Sequence, residues 1–386
     1  MKGKKLMRYV KPDYYDKFKC IADKCPDTCC AGWQIVIDEK TLEKYEKEPE
    51  LVGKIDWQEG IFKQYGGRCA MLNDKNLCEL ITKKGEGWLC NTCDRYPRHI
   101  EEFDGVREMS LSLSCPVAAE MMLKREEPML FMVEEDDESD PLEEEFEDFD
   151  FLLYTYLEDA REVLFAIVQD RELPMETRMH LAVRFAKDLQ VCLDEERLYD
   201  MEEVIASYKE KRETADNSGK ATAAGKQEIL QRGDVADRYL FLKENFALFH
   251  ELERLREEWT DVIEEAERTL YACGEADYIA IYEAFDREFI ENFGRKRWEI
   301  LLEQILMFFL YTYFCGAVYD DCIYSKVGMA VFSATFISEF IMCRWYVAGK
   351  QMDIEEYIRI AYRYAREVEH SDENLNMLEE WLLDRM

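Results

Sequence analysis

Nine of the fourteen cysteines lie within the first 115 residues of this 386-residue chain, and no other feature restricts its folding choices as strongly. They run Cys20-x4-Cys25-x3-Cys29-Cys30, then Cys69-x8-Cys78-x11-Cys90-x2-Cys93, and last Cys115 followed by Pro116. Nothing resembling an apolar signal segment follows the basic N-terminal residues, so the expectation is a reducing, cytoplasmic setting, where dense thiols bind metal before they form disulfides. Thiolate sulfur is a soft donor for iron clusters and for zinc, and close spacing lets one short loop supply several ligands at little closure cost. The pool of candidate metal ligands is Cys20, Cys25, Cys29, Cys30, Cys69, Cys78, Cys90, Cys93 and Cys115, with the CPDTCC and CNTC groups expected to matter most. Nine thiols exceed the four that one site needs, so either two sites exist or some of them are packing residues. Cys192, Cys273, Cys315, Cys322 and Cys343 are scattered on helical segments and read as small core residues. With four histidines in the chain, a histidine-rich metal site is not expected.

The remainder of the chain reads as mainly α. The expected organisation is an irregular cysteine-rich metal-binding module at 1–125, an acidic linker at 126–150 and an α-helical bundle domain at 151–386. Glu134 to Asp150 holds twelve acidic residues in seventeen, a density that favours solvated chain. Apolar residues recur every three or four positions in DFLLYTYLEDAREVLFAIVQ, METRMHLAVRFAKDLQVCL, DRYLFLKENFALFHELERLREEW and IEEYIRIAYRYAREVE, as amphipathic helices require. ETADNSGKATAAGK (213–226) reads as a loop. In the first part WQIVID (33–38) is the best strand candidate, and Asp38 is a candidate N-cap for the charged helix that follows.

Charge narrows the partners. Lys and Arg number 50 against 84 Asp and Glu, a formal net charge of −34. Nucleic acid and anionic membrane surfaces are therefore excluded as first expectations, whereas a lysine-bearing protein face would be attracted. Two apolar stretches, 298–315 and 327–349, approach spanning length, but Glu299, Glu303, Gln304, Glu339 and Arg344 interrupt them. A charge at a bilayer centre costs about 2.5 to 3.5 kcal/mol on insertion scales, so buried core helices are expected.

Directly after Cys93, Asp94-Arg95-Tyr96-Pro97-Arg98-His99 forms a polar knot. Arg95 and Arg98 suit bidentate capture of a carboxylate, and Tyr96 or His99 suits proton handling. The plainer alternative is that they orient ligand side chains or pair with surface acids. Trp33 stands beside the cysteine pair, as a cover over the thiols or as a stacking platform; Asp27, Tyr14 and Tyr15 are weaker candidates.

YYDKFKCIADKCPDTCCAGWQIVID (14–38), CAMLNDKNLCEL, LCNTCDRYPRHI and SLSLSCPVAAEMML (110–123) resemble the flagellin lysine-N-methylase family. More loosely, they are similar to zinc- or iron-chelating domains that share a CxxxCC segment and a later cysteine before Arg-Tyr-Pro. The resemblance covers roughly residues 1–123 in motifs; the helical remainder matches in length and character. It implies an S-adenosylmethionine-dependent protein-lysine N-methyltransferase acting on flagellin ε-amines, with a 4Fe-4S cluster in the cysteine-rich part. Bound zinc is the alternative, as is a non-enzymatic zinc- or iron-binding scaffold or store, and a redox protein is a third reading. The sequence has no Gly-rich nucleotide-binding fingerprint, and Gly32 stands where a CxxxCxxC run would need its third cysteine, which argues against radical cleavage of the methyl donor.

Overall fold

A computed structural model describes residues 7–136, 149–218 and 235–385, and it is mainly helical, as the sequence predicts. The mixed sheet near its start was not predicted. Strands β1 (Met7–Pro12), β2 (Arg98–Phe103), β3 (Val106–Leu111) and β4 (Phe131–Asp136) lie in the order β2-β3-β1-β4. β2 and β3 form a hairpin, with His99 opposite Ser110, around the two-residue turn Asp104-Gly105. Gly105 has φ +81°, the left-handed conformation that makes Asp-Gly a hairpin turn. β1 runs parallel to β3 and antiparallel to β4. A parallel pair needs a long crossover, and here residues 13–97, with eight of the nine clustered cysteines, form that excursion.

Inside the excursion lie short helices α1 (Glu39–Tyr45), α2 (Glu79–Lys84) and α3 (Asn91–Arg95) and two ladders of two residues per strand. They enclose a small core in which Ile35, Ile37, Tyr45, Ile55, Phe62 and Leu80 surround Cys69 and Cys90. Asp38 caps α1, accepting from the Thr41 amide at 3.0 Å. WQIVID is not a strand. Its residues alternate, with Ile35 and Ile37 buried and Val36 exposed, but the stretch makes only the single bridge Val36 to Ile61. Extended backbone without a partner of matching length cannot build a ladder.

After α4 (Pro116–Leu123) and β4 come α5 (Phe151–Val168), α6 (Met175–Asp194), α7 (Asp200–Ser218), α8 (Val235–Phe246), α9 (Glu257–Ala266), α10 (Glu275–Ala284), α11 (Arg295–Tyr313), α12 (Ile323–Val347), α13 (Ile354–Glu369) and α14 (Asp372–Leu383). Part of the span read as an acidic linker is ordered: β4 occupies 131–136 and Asp150 caps α5 through the Leu153 amide. Phe149 packs 5.4 Å from Tyr154, while Phe146 lies outside the described residues. α7 runs through 213–218, where a loop was expected; the rest of that expected loop, 219–226, lies outside the described residues.

The two membrane-length stretches are α11 and α12, and they are buried inside the protein. Their buried carboxylates are paired there. Glu303 is held by Arg171 at 2.7 Å and Arg178 at 3.1 Å, and Glu339 by Arg238 at 2.7 Å and the Tyr271 hydroxyl at 3.0 Å. A carboxylate paired this closely is tolerated in an interior, whereas lipid would offer it no partner. The sheet rests on the same core, because Tyr311 of α11 donates to the Val10 carbonyl at 2.7 Å and Arg161 of α5 pairs with Glu108 of β3.

The helix expected over 237–259 is interrupted. α8 stops at Phe246, a single turn covers Leu248–Glu251, and α9 starts at Glu257. The backbone between is held from outside: Asn374 accepts from the Glu253 amide at 2.7 Å and Glu367 from the Leu255 amide at 3.0 Å. Those external bonds replace the helical ones and carry Arg256 toward the cysteine-rich module.

Candidate functional site

The thiols gather in two neighbouring groups. Cys25 lies within electrostatic reach of Cys20 and Cys29, and Cys115 of Cys25 and Cys29. Cys93 lies near Cys90, Cys30 and Cys69, and Cys78 near Cys90 and Cys29. Cys29 and Cys30, adjacent in sequence, interact through their side chains and join the groups. The same is true of Cys90 and Cys93, where the shared hydrogen bond holds the Cys90 thiol below and the Cys93 thiol above the ordinary range. Among the described residues, no three His, Cys, Asp or Glu side chains are drawn together tightly enough to hold a metal ion as they stand. The donor chemistry nevertheless suits one. Burial pushes the Cys69 and Cys115 thiols up to about 11, so a thiolate at either place needs a compensating cation, which a thiophilic metal supplies.

The loop carrying Cys29 and Cys30 is clamped onto the helical part. Asp27 meets Arg366 of α13 at 2.7 Å and Arg256 at 2.8 Å, and Arg256 also donates to the Ala31 carbonyl at 2.6 Å. Gly32, at φ +84°, lets the Arg256 side chain pass; a Cβ there would stand 2.3 Å from its Nε. Asp27, a weak candidate in the sequence, is thus a structural bridge, and Tyr14 and Tyr15 are core residues.

Between this loop and the helices lies a cavity of about 350 Å³. Trp33, Arg95, Tyr96, Arg98 and His99, all singled out from the sequence, line it. Trp33 donates to the Cys29 carbonyl at 2.7 Å and packs on His370 with ring centroids 4.6 Å apart, so it is the wall between thiols and cavity. Arg95 and Arg98 are exposed at the rim, Arg98 with its guanidinium 5.4 Å from the Phe18 ring. His99 meets Glu101 at 3.2 Å. Tyr96 and His370 both bond to the Ser114 hydroxyl, at 3.0 and 2.8 Å, and Arg366 donates to the Ser114 carbonyl at 2.8 Å. A smaller void of about 230 Å³ lies among Glu50, Lys54, Glu79 and Lys83, and there Lys54 already pairs with Glu79 at 2.7 Å.

The far wall was not read from the sequence. Phe308, Thr312 and Tyr313 of α11, Ser112 after β3, and Glu369 and His370 at the end of α13 complete the cavity. Burial pushes the Glu369 carboxyl up to about 7, against the lowering effects of the Ser112 hydrogen bond and nearby His99. Its Oε2 accepts from Ser112, the Tyr313 hydroxyl lies beside the same carboxyl, and Oε1 is buried without a partner of ordinary hydrogen-bond geometry. Burial, reinforced by Arg366 and Arg256, drives His370 down to about 3, so its ring is neutral at physiological pH. The site therefore combines aromatic walls, a neutral imidazole and a carboxyl able to exchange a proton near neutrality.

Fold and site together define a mainly helical protein whose thiol-rich excursion covers a cavity floored by a buried acid. The chain belongs to the family of the FliB lysine N-methylase C-terminal domain, whose family model matches residues 161–385. That match includes Phe308, Thr312, Tyr313, Glu369 and His370 and falls on the helical half, where the sequence offered no quotable motif. Among curated proteins, the chain is similar to the flagellar biosynthetic protein FliU of Salmonella muenchen, at 27% identity over 139 residues, covering 32% of this chain and 82% of FliU. It is equally similar to the lysine-N-methylases of Salmonella typhimurium and Salmonella choleraesuis, at 27% identity over 139 residues. The match spans 35% of each of those two methylases and 32% of this chain. No solved structure matches the chain.

Proposed function

We propose that this chain is a cytoplasmic protein-lysine N-methyltransferase that moves a methyl group from S-adenosylmethionine to lysine ε-amines of flagellin at the 350 Å³ cavity. The observation carrying the reading is the buried Glu369 carboxyl on the family-matched half, set beside aromatic walls that suit a long aliphatic side chain ending in a cation. Membership of the lysine N-methylase family and the names of the relatives support the same chemistry.

The chain's own residues would act as follows. Trp33, Tyr96 and Phe308 exclude water and confine the lysine stem. Arg95 and Arg98 at the rim suit a carboxylate such as the one on the donor's methionine part. His370, kept neutral, adds no positive charge against an incoming cation. Cys25, Cys29, Cys30, Cys90 and Cys93, with Cys20, Cys69, Cys78 and Cys115 as further donors, would hold a 4Fe-4S cluster, or zinc in its place, and iron there would supply a Lewis-acid position near the cavity. The net charge of −34 favours encounter with lysine-rich protein faces, an attraction that weakens as salt rises.

The test is full-length protein reconstituted without oxygen and incubated with flagellin and methyl-labelled S-adenosylmethionine. Label on flagellin lysines is the expected result. An intact metal site with no transfer would favour the alternative, a metal-binding scaffold.

A further inference from the structure

Glu369 ends α13 with Oε2 bonded to Ser112 and the Tyr313 hydroxyl beside the same carboxyl, while Oε1 is buried without a partner of ordinary hydrogen-bond geometry. It lines the same cavity as Trp33, Phe308 and Tyr313. The titratable groups acting on it are His99 from β2 and Tyr313 from α11; Tyr313 in turn feels Glu101 of β2 and Glu379 of α14, and the neighbouring His370 feels Arg366 and Arg256. The hydroxyl of Ser112 and the backbone of Ser114 complete its surroundings. No fixed cation neutralises Glu369 directly among these described contacts: Arg366 is committed to Asp27 and the Ser114 carbonyl.

We propose that Glu369 is the catalytic base of the cavity, receiving the proton of the substrate lysine's ε-ammonium while the aliphatic stem lies against Trp33, Phe308 and Tyr313. The inference rests on the methyltransferase reading above. The ammonium gives one proton to the carboxylate, leaving a neutral amine and a carboxylic acid. The amine lone pair then forms the new C–N bond with the methyl group of the sulfonium donor, and the C–S bond breaks with its electron pair going to sulfur. The methylated nitrogen keeps the positive charge, and the acid loses its proton to water at the rim. Burial favours the neutral member of each pair, raising a carboxyl and lowering an ammonium, so the buried floor of the cavity brings two poorly matched groups within reach of proton exchange.

The test uses the metal-loaded full chain, flagellin and S-adenosylmethionine, with kcat and KM measured across pH for wild type, Glu369→Gln and Glu369→Asp. Wild-type kcat should rise through about pH 7 and level off. Glu369→Gln should lose on the order of 10²-fold in kcat at neutral pH, with a smaller change in KM and its rise displaced toward the amine's own range. Glu369→Asp should retain the limb near neutrality. Calorimetry with n-butylamine, a lysine side-chain mimic, supplies a readout apart from turnover: binding should weaken about tenfold or more in Glu369→Gln. A Gln variant with the wild-type pH profile and kcat within about threefold overturns the proposal. Wild type that binds n-butylamine through Glu369 yet methylates nothing keeps the amine contact and overturns the methyltransferase reading, whereas failure of both binding and transfer overturns both.

Discussion

Replacing Asp27 with alanine should loosen the thiol-bearing loop from the helical body. Its carboxylate meets Arg366 at 2.7 Å and Arg256 at 2.8 Å, and Arg363 at 4.0 Å is a weaker third neighbour. The Arg366 side chain is 2% exposed, so removing Asp27 strands a cation in the interior. The Nη1 contact to Asp27 is close without hydrogen-bond geometry, which makes the attraction chiefly one of charge. Breaking a buried pair by deleting one partner costs about 3 to 5 kcal/mol, and the partial exposure of Asp27 and Arg256 places the loss near the lower end. A loss of about 3 kcal/mol is on the order of a hundredfold in the opening equilibrium. Urea titration at pH 7 measures the global part, and thiol-labelling rates at Cys25, Cys29 and Cys30 measure the local part; both should move. Burial pushes the Asp27 carboxyl up, but Arg366 and Arg256 outweigh it and hold the group below the usual carboxylate range. Its contribution is thus complete above the unfolded value of about 3.9 and fades as pH falls through the lower folded value, so wild type and variant should converge in acid. A change below about 0.5 kcal/mol with unaltered labelling would refute the clamp.

Two further outcomes are expected. Burial pushes the Glu367 carboxyl up to about 7, so the folded state favours its protonated form and loses stability as pH rises from about 4.5 toward 7. Glu367→Gln keeps an acceptor for the Leu255 amide and should therefore stabilise the protein at pH 8, by on the order of 1 to 3 kcal/mol, and have little effect at pH 4, as read by urea midpoints at both pH values. Single Cys→Ser changes at Cys29, Cys30, Cys90 and Cys93 should lower bound iron and labile sulfide, whereas Cys192, Cys273 and Cys322 should tolerate serine with metal content unchanged.

The legible parts of this molecule were those written locally. A concentration of thiols in short loops, helical periodicity over long stretches, the Asp38 cap and the interrupted character of the two apolar segments all act over a few residues. The knot at 95–99 and Trp33 were found because they adjoin cysteines, and the structure brings them to one cavity. The sheet is not legible locally because β1 and β4 carry charged residues, and because RHIEEF and VREMSL on either side of the Asp104-Gly105 turn lack the alternation that marks a strand. The break at 252–256 depends on Asn374 and Glu367, more than a hundred residues away. Glu369 and His370 lie some 270 residues from the polar knot, and only folding joins them. One signal lies in the sequence: Arg366 follows Ile358 and Tyr362 at four-residue spacing, on the apolar face of α13, and a charge on an apolar helix face marks a site or a bridge.

The central claim, that lysine methylation takes place in this cavity, is tested most directly by filling it. Thr312 lines the void and its hydroxyl makes no hydrogen bond, so phenylalanine there occupies space without breaking a hydrogen bond. Methyl transfer to flagellin should be measured for wild type and Thr312→Phe at matched metal content and with thermal unfolding as a check on folding. The account predicts transfer by wild type and at least about a tenfold loss in the filled variant. Equal transfer by both proteins would place the chemistry elsewhere and contradict it.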